Sequence, residues 1–94
     1  MTYIKTLEEI NASKNKITSI PSEIKNLRKL KKIDVSGNPI SKIPSSITKL
    51  QNLEELNLNN TNVTLLSKKM CEKWDTNKIS ISIEDDKKLS MCPY

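Results

Sequence analysis

Hydrophobic and polar positions recur along most of this chain at a fixed interval of 23 residues. Each copy opens with alternating apolar and polar residues, the pattern of a short strand with one buried side, and continues with more widely spaced apolar residues. A unit of this length cannot bury its apolar side alone, so the copies are expected to stack into a solenoid with one continuous core. The columns are Leu7, Leu30, Leu53; Ile10, Ile33, Leu56; Ala12, Val35, Leu58; Ile17, Ile40, Val63; Ile20, Ile43, Leu66; and Ile24, Ile47, Met70.

A polar column accompanies the apolar ones and occupies the turn after each strand. It contains Asn15, Asn38 and Thr61. Asparagine carries both donors and acceptors, so it can satisfy buried backbone groups where the chain leaves a strand. Thr61 has fewer such groups, and we expect the asparagine ladder to end near the third copy.

These columns together give the pattern LxxLxLxxNxLxxLPxxIxxLxx, which resembles a leucine-rich repeat. The Ile20-Pro21 and Ile43-Pro44 steps most resemble the intracellular, Ras-associated class of these repeats. The resemblance implies an α/β fold: a short right-handed solenoid with a parallel sheet on its concave side. It also implies that the concave strands bind another protein.

We predict one domain over residues 1–94, with three full repeats between partial caps. The third copy lacks the proline and predicts a helix in its return segment. The sequence KISISI predicts a fourth strand, with Ile79 and Ile81 one 23-residue period after Leu56 and Leu58, and Leu89 one period after Leu66. The predicted segments are an N-terminal partial repeat at 1–6, repeats at 7–29, 30–52 and 53–75, and a capping partial repeat at 76–94.

The outward positions of the strands supply the candidate binding surface. At the 23-residue spacing the first column is Glu9, Lys32, Glu55 and Lys78, the second Asn11, Asp34, Asn57 and Ser80, and the third Ser13, Ser36, Asn59 and Ser82. The first column alternates in charge, so its members can also pair with one another across strands. The residues that we predict to contact a protein partner are Glu9, Asn11, Lys32, Asp34, Glu55, Asn57 and Asn59.

Composition argues against catalysis and cofactor binding. The chain has no His, which removes the commonest general base and a frequent metal ligand, and its single Gly excludes a glycine-rich phosphate loop. Two Cys are too few for a zinc site without His. The acidic run Glu84–Asp86 is interpreted as a solvated turn, with a weak divalent-ion site as the alternative. We therefore expect no enzyme, no cofactor and no metal.

The net charge of +5 is carried almost entirely by scattered lysines, without interleaved aromatic residues. We interpret it as a solvated surface and regard nucleic-acid binding as the disfavoured alternative. No apolar run has the form of a signal peptide or reaches transmembrane length, so the expected location is the cytoplasm, without a membrane partner. The convex basic residues that would carry nucleic-acid binding are Lys25, Arg28, Lys29, Lys31 and Lys49.

Three features leave alternatives open. Cys71 and Cys92 lie in neighbouring coils, where a disulfide is geometrically feasible, but a reducing cytoplasm favours two free thiols. Trp74 is expected to fill the convex position where Lys73 replaces the leucines of the earlier copies, and the alternative is an interface anchor. The N-terminal end has little to cover it, so a second copy of the chain could pair along the edge beside Leu7. The chain would then be a self-associating unit or a piece of a longer solenoid.

Overall fold

A computed structural model describes residues 7–76, 78–84 and 91–92 of the chain. Within these ranges the sheet has four parallel strands in the order β1-β2-β3-β4, each beside its sequence neighbour. This arrangement confirms the predicted α/β solenoid and its fourth strand. The predicted N-terminal partial repeat at 1–6 lies outside the described residues. The strands are β1 (Glu9–Asn11), β2 (Lys32–Asp34), β3 (Glu55–Asn57) and β4 (Ser80–Ser82).

Each strand places its central residue in the core and its flanking residues toward the concave side. The central residues Ile33 of β2 and Leu56 of β3 are 2% and 1% exposed, whereas Lys32 and Glu55, which precede them in the same strands, are exposed. Side chains on a strand alternate between faces, so three residues are enough to separate core from surface. The repeated aliphatic columns therefore fuse into one core. Its fully buried large members are Ile24, Leu27, Leu30, Ile40, Ile47, Leu50, Leu56, Leu58, Val63, Leu66, Met70 and Met91.

The convex side changes from 3-10 helix to α-helix along the stack. The first two returns contain five-residue 3-10 helices, Ser22–Asn26 and Ser45–Lys49, each preceded by a proline in extended conformation. Proline has no N–H and a fixed φ, which suits the position before a first helical turn. The third return has no proline and forms α1 (Lys68–Asp75), as predicted. Ser67 caps α1, its side chain accepting a hydrogen bond from the Met70 N–H at 3.3 Å.

The register of β4 differs from the 23-residue prediction. Glu55 pairs with Ser80 and Leu56 with Ile81, so β4 lies 25 residues after β3 and Lys78 is not in the first concave column. The prediction was wrong because α1 rises less per residue than a 3-10 helix, so the third return takes more chain to reach the sheet.

The same two-residue offset reaches the final turn. Met91, fully buried, accepts a hydrogen bond from the Leu66 N–H through its carbonyl oxygen at 2.9 Å. Leu89, which the 23-residue period aligns with Leu66, lies outside the described residues. Met91 therefore supplies a core side chain that the 23-residue period did not identify.

One turn position adopts a left-handed backbone in all three full repeats. Lys14 and Asn60 have φ of 57°, and Gly37 has φ of 70°. A Cβ at Gly37 would lie 3.2 Å from the Lys14 backbone nitrogen, so the glycine relieves both strain and crowding. Asparagine tolerates this conformation, whereas lysine does so at some cost. The repeat geometry thus overrides the local preference of Lys14.

Asn38 links the first two repeats from a buried position. It is 1% exposed, and its side chain uses both its oxygen and its nitrogen. Oδ1 accepts from the N–H groups of Asn15 and Ile17, both at 3.1 Å, and Nδ2 donates to the carbonyl oxygens of Ala12, Val35 and Ser36. In the third repeat the Thr61 hydroxyl donates to the Leu58 carbonyl of its own repeat at 2.8 Å.

Lys73 occupies the convex position that Leu27 and Leu50 fill in the earlier repeats. Its Nζ donates to the Thr48 carbonyl oxygen at 2.6 Å, across the boundary between two repeats. A cavity of about 60 Å³ remains beside it, lined by described residues that include Leu50 and Met70 but not Trp74. Trp74 packs half-buried against the core without filling this space. The expectation that it fills the Lys73 position was therefore wrong.

Replacing Lys73 with leucine should stabilise the protein by about 1 kcal/mol, because an apolar side chain can pack against Leu50 and Met70 in the cavity, while water can replace the lost hydrogen bond at the half-buried Thr48. Chemical denaturation monitored by circular dichroism would measure the change. Lys69→Leu, at an exposed position of α1, is the matched control and should change the free energy of unfolding by less than about 0.5 kcal/mol. An equal response of both variants would contradict the cavity-filling explanation.

Cys71 and Cys92 form a disulfide, with their Cα atoms 5.8 Å apart. The favoured expectation of two free thiols is therefore wrong for this structure. It rested on the expected compartment, whereas the stacking of the last coil on α1 brings the two residues within bonding reach. Cys71 is 3% exposed, so the bond lies against the core and ties α1 to the C-terminal end of the described chain.

Candidate binding groove on the concave face

The outward sides of the four strands line an open groove of about 460 Å³. Because the strands are parallel and in register, equivalent positions fall into rows that cross the sheet. The groove brings together all the predicted contact residues except Asn59, and it adds two serines of β4. Its polar and charged lining residues are Glu9, Asn11, Lys32, Asp34, Glu55, Asn57, Ser80 and Ser82.

The first row across the groove consists of three charged residues, Glu9, Lys32 and Glu55, followed by the neutral Ser80. Lys32 Nζ lies 3.7 Å from Glu9 Oε1 and 3.9 Å from Glu55 Oε2. All three side chains are more than half exposed, so these ion pairs contribute little to stability. Ser80 stands beside Glu55 where the prediction had Lys78. The row therefore contains two carboxylates and one ammonium group.

The second row has a structural role that the sequence prediction did not give it. Asn11, Asp34 and Asn57 each close a turn at the end of their strand, Oδ1 accepting from the N–H two residues ahead. Short polar side chains commonly close turns in this way. Asp34 Oδ1 also accepts from the Ser36 hydroxyl at 2.6 Å. Both of these bonds are accepted by Oδ1, and Oδ2 makes no hydrogen bond within the described part of the chain.

Asn59 lies beyond the groove, at the turn after β3. Its N–H donates to Asn57 Oδ1 at 3.0 Å, and the side chain is half-buried. The next residue, Asn60, donates its N–H to Glu84 Oε1. This contact gives Glu84, the first residue of the acidic run, a structural partner. Asp85 and Asp86 lie outside the described residues.

Ser80 and Ser82 are the groove residues that the prediction misplaced. The 23-residue spacing placed Ser80 beside Asn57 and Ser82 beside Asn59, whereas the pairing of β4 places Ser80 beside Glu55 and Ser82 beside Asn57. The sequence carried a signal for this shift. The third return lacks the proline and predicts a helix at residues 68–75, and a helix needs more residues to cover the same distance.

The convex side carries two shallow grooves lined mainly by cationic residues, whereas the concave groove has more carboxylates than cations. The first, of about 460 Å³, lies between the two 3-10 helices and is lined by Lys25, Arg28 and Lys49, with no acidic residue among its described lining. Two further residues, Lys29 and Lys31, belong to the predicted nucleic-acid surface. Lys29 lines neither convex groove, and Lys31 Nζ lies 3.4 Å from Glu8 Oε1. The second groove is lined by Lys49, Lys69, Lys73, Lys78, Glu72, Thr48 and Thr76.

Among the described residues there is no group of three or more His, Cys, Asp or Glu side chains placed to hold a metal ion. A membrane-crossing helix, long and apolar enough to span a bilayer, is likewise not found in the described part of the chain.

Four stacked strands with repeated aliphatic columns define the chain as a repeat solenoid, and comparison with known proteins identifies the family. A model of two leucine-rich repeats matches residues 5–46 and 29–68, which together make up more than half of the chain. The chain belongs to the leucine-rich-repeat proteins.

A leucine-rich-repeat protein of Leptospira interrogans has a similar structure, with a TM-score of 0.70 and 31% sequence identity. The match covers 88% of this chain but 22% of that protein, so this chain spans about a fifth of its length. Comparison with curated protein sequences gives no match.

Proposed function

We propose that this chain is a non-catalytic protein–protein interaction module that binds its partner through the concave groove. The observation that carries the proposal is the in-register row Glu9–Lys32–Glu55, with Asn11, Asp34 and Asn57 beside it on the same sheet. Side chains on a sheet are held at fixed spacings, which favours recognition by polar complementarity. Membership of the leucine-rich-repeat family supports an interaction role.

Two finer assignments belong to the same proposal. The prolines before both 3-10 helices, Pro21 and Pro44, support placing the repeats in the Ras-associated class. A cytoplasmic location also remains a proposal, and the Cys71–Cys92 disulfide counts against it because disulfides are rare in that compartment. We place neither a nucleic acid nor a membrane among the partners.

Exchanging two charges in the groove should abolish capture of the partner. We expect wild-type protein to retain a specific partner from a cell lysate, and Lys32→Glu/Glu55→Lys to lose at least about tenfold of it, because the row of charges is rearranged at constant net charge. The matched control is Glu23→Lys/Lys49→Glu, which exchanges two exposed charges of the 3-10 helices and should retain the partner.

Equal capture by the wild type and the groove variant would contradict the concave site. The alternative is then self-association, supported by one observation at the N-terminal edge. Leu7 and Ile10 are half-buried there, whereas Leu30 and Ile33 of the next repeat are 0% and 2% exposed. Sedimentation that depends on protein concentration would identify this alternative.

A further inference from the structure

We infer that the concave groove accepts an extended segment of a partner protein that carries lysine or arginine side chains. The inference rests on the proposed function and specifies its ligand. It follows from the charge of the groove, the weakness of its internal ion pairs and the length of the groove.

The groove is acidic although the whole chain is basic. Its charged lining residues are three carboxylates, Glu9, Asp34 and Glu55, and one ammonium group, Lys32. The whole chain has a net charge of +5, and the convex groove between the 3-10 helices is lined by three cations. The two faces thus present opposite fields, and the concave one favours a cationic ligand.

The two-residue offset of β4 increases this imbalance. With Lys78 beside Glu55, the first row would have been neutral, with one cation for each carboxylate, and Asp34 would have been the one unbalanced carboxylate of the groove. Ser80 takes that place and carries no charge. Glu55 therefore shares Lys32 with Glu9, and Asp34 has uncharged Asn11 and Asn57 as its neighbours in the second row.

The existing ion pairs do not prevent a ligand from binding. Lys32 contacts Glu9 and Glu55 at 3.7 and 3.9 Å, longer than a good charge-assisted hydrogen bond, and its side chain is 53% exposed. Exposed pairs of this kind are worth little because water and salt screen them. An incoming guanidinium or ammonium group can bind the carboxylates while the Lys32 side chain rotates away.

The length of the groove suits an extended chain. The backbone positions of Glu9 and Glu55 lie two strands apart, about 10 Å, and the backbone of Asp34 lies about 7 Å along the strand from that of Lys32. In the described part of the chain no cluster of acidic residues is placed to hold a metal. The groove spans four strands, about 15 Å, which matches about five extended residues whose alternate side chains repeat every 7 Å.

The test measures binding of a capped peptide of alternating lysine and serine, about six residues long, to the folded chain by NMR. We expect amide signals of β1 to β4 to shift on titration. Asp34→Asn/Glu55→Gln should weaken binding about tenfold. The asparagine keeps the turn contact that Asn11 and Asn57 make in the other repeats, so the fold is retained. Lys32→Gln should bind more tightly than wild type, a gain that misfolding cannot imitate.

The matched control is Glu23→Gln/Glu72→Gln, which removes two exposed carboxylates of the convex side and should leave the affinity unchanged. Shifts confined to the convex side, no shifts, or equal binding of a glutamate–serine peptide would overturn the inference. The capture experiment distinguishes failure of this inference from failure of the proposed function. If a captured partner is lost from Lys32→Glu/Glu55→Lys but retained by Asp34→Asn/Glu55→Gln, the groove binds a partner, and only the inferred cationic character of that partner is wrong.

Discussion

Replacing Asn38 with alanine should lower the free energy of unfolding by about 3 kcal/mol. The side chain is buried and makes five hydrogen bonds to backbone groups of two repeats. Alanine leaves those N–H and carbonyl groups without their partner in a place that water does not reach. Each unsatisfied buried group costs about 1–3 kcal/mol, and a domain of this size has about 5–14 kcal/mol in total. Urea denaturation followed by circular dichroism would measure the loss.

Asn15 offers the matched control because it holds the equivalent position one repeat earlier. It is exposed, and its Nδ2 donates to the carbonyl oxygens of Ala12 and Ser13 of its own repeat. Water can replace those bonds, so Asn15→Ala should cost less than about 1 kcal/mol. Similar losses for both variants would show that the bridge between repeats is not what makes Asn38 important.

Removing the Cys71–Cys92 disulfide should cost about 3 kcal/mol, because a bond across 21 residues restricts the unfolded chain by about that much. The Cys71→Ala/Cys92→Ala variant should therefore melt at least about 10 °C below the oxidised wild type. Thermal unfolding with and without a phosphine reductant provides the measurement. The reductant should lower the midpoint of the wild type and leave that of the double variant unchanged.

Free-thiol labelling of the denatured, unreduced protein checks the bond itself, and no labelled cysteine is expected. Two labelled thiols, or equal melting temperatures under oxidising and reducing conditions, would contradict the role of the disulfide. The same labelling on protein taken rapidly from cells bears on location, because disulfides persist in oxidising compartments and are rare in the cytoplasm.

The recurrence of aliphatic residues determined the fold class. Leu30, Ile33 and Ile40 can be buried together only if the neighbouring copies stack against them, and the parallel sheet follows from that stacking. The helix at residues 68–75 was predictable from the missing proline and the Ser67 cap. Six of the seven predicted contact residues line the groove because a strand with a period of two fixes which side chains face outward.

Only the tertiary structure decided the properties that depend on distance through space. The length of α1 set the register of β4, which placed Ser80 instead of Lys78 beside Glu55 and made the concave groove more acidic. The packing of the last coil on α1 brought Cys71 and Cys92 together, and the stack placed Asn38 out of contact with water while Asn15 stayed exposed. A repeated sequence determines which residues are equivalent, because burial follows the period. It does not determine charge balance or bonding between copies, because these depend on the path that each return segment takes.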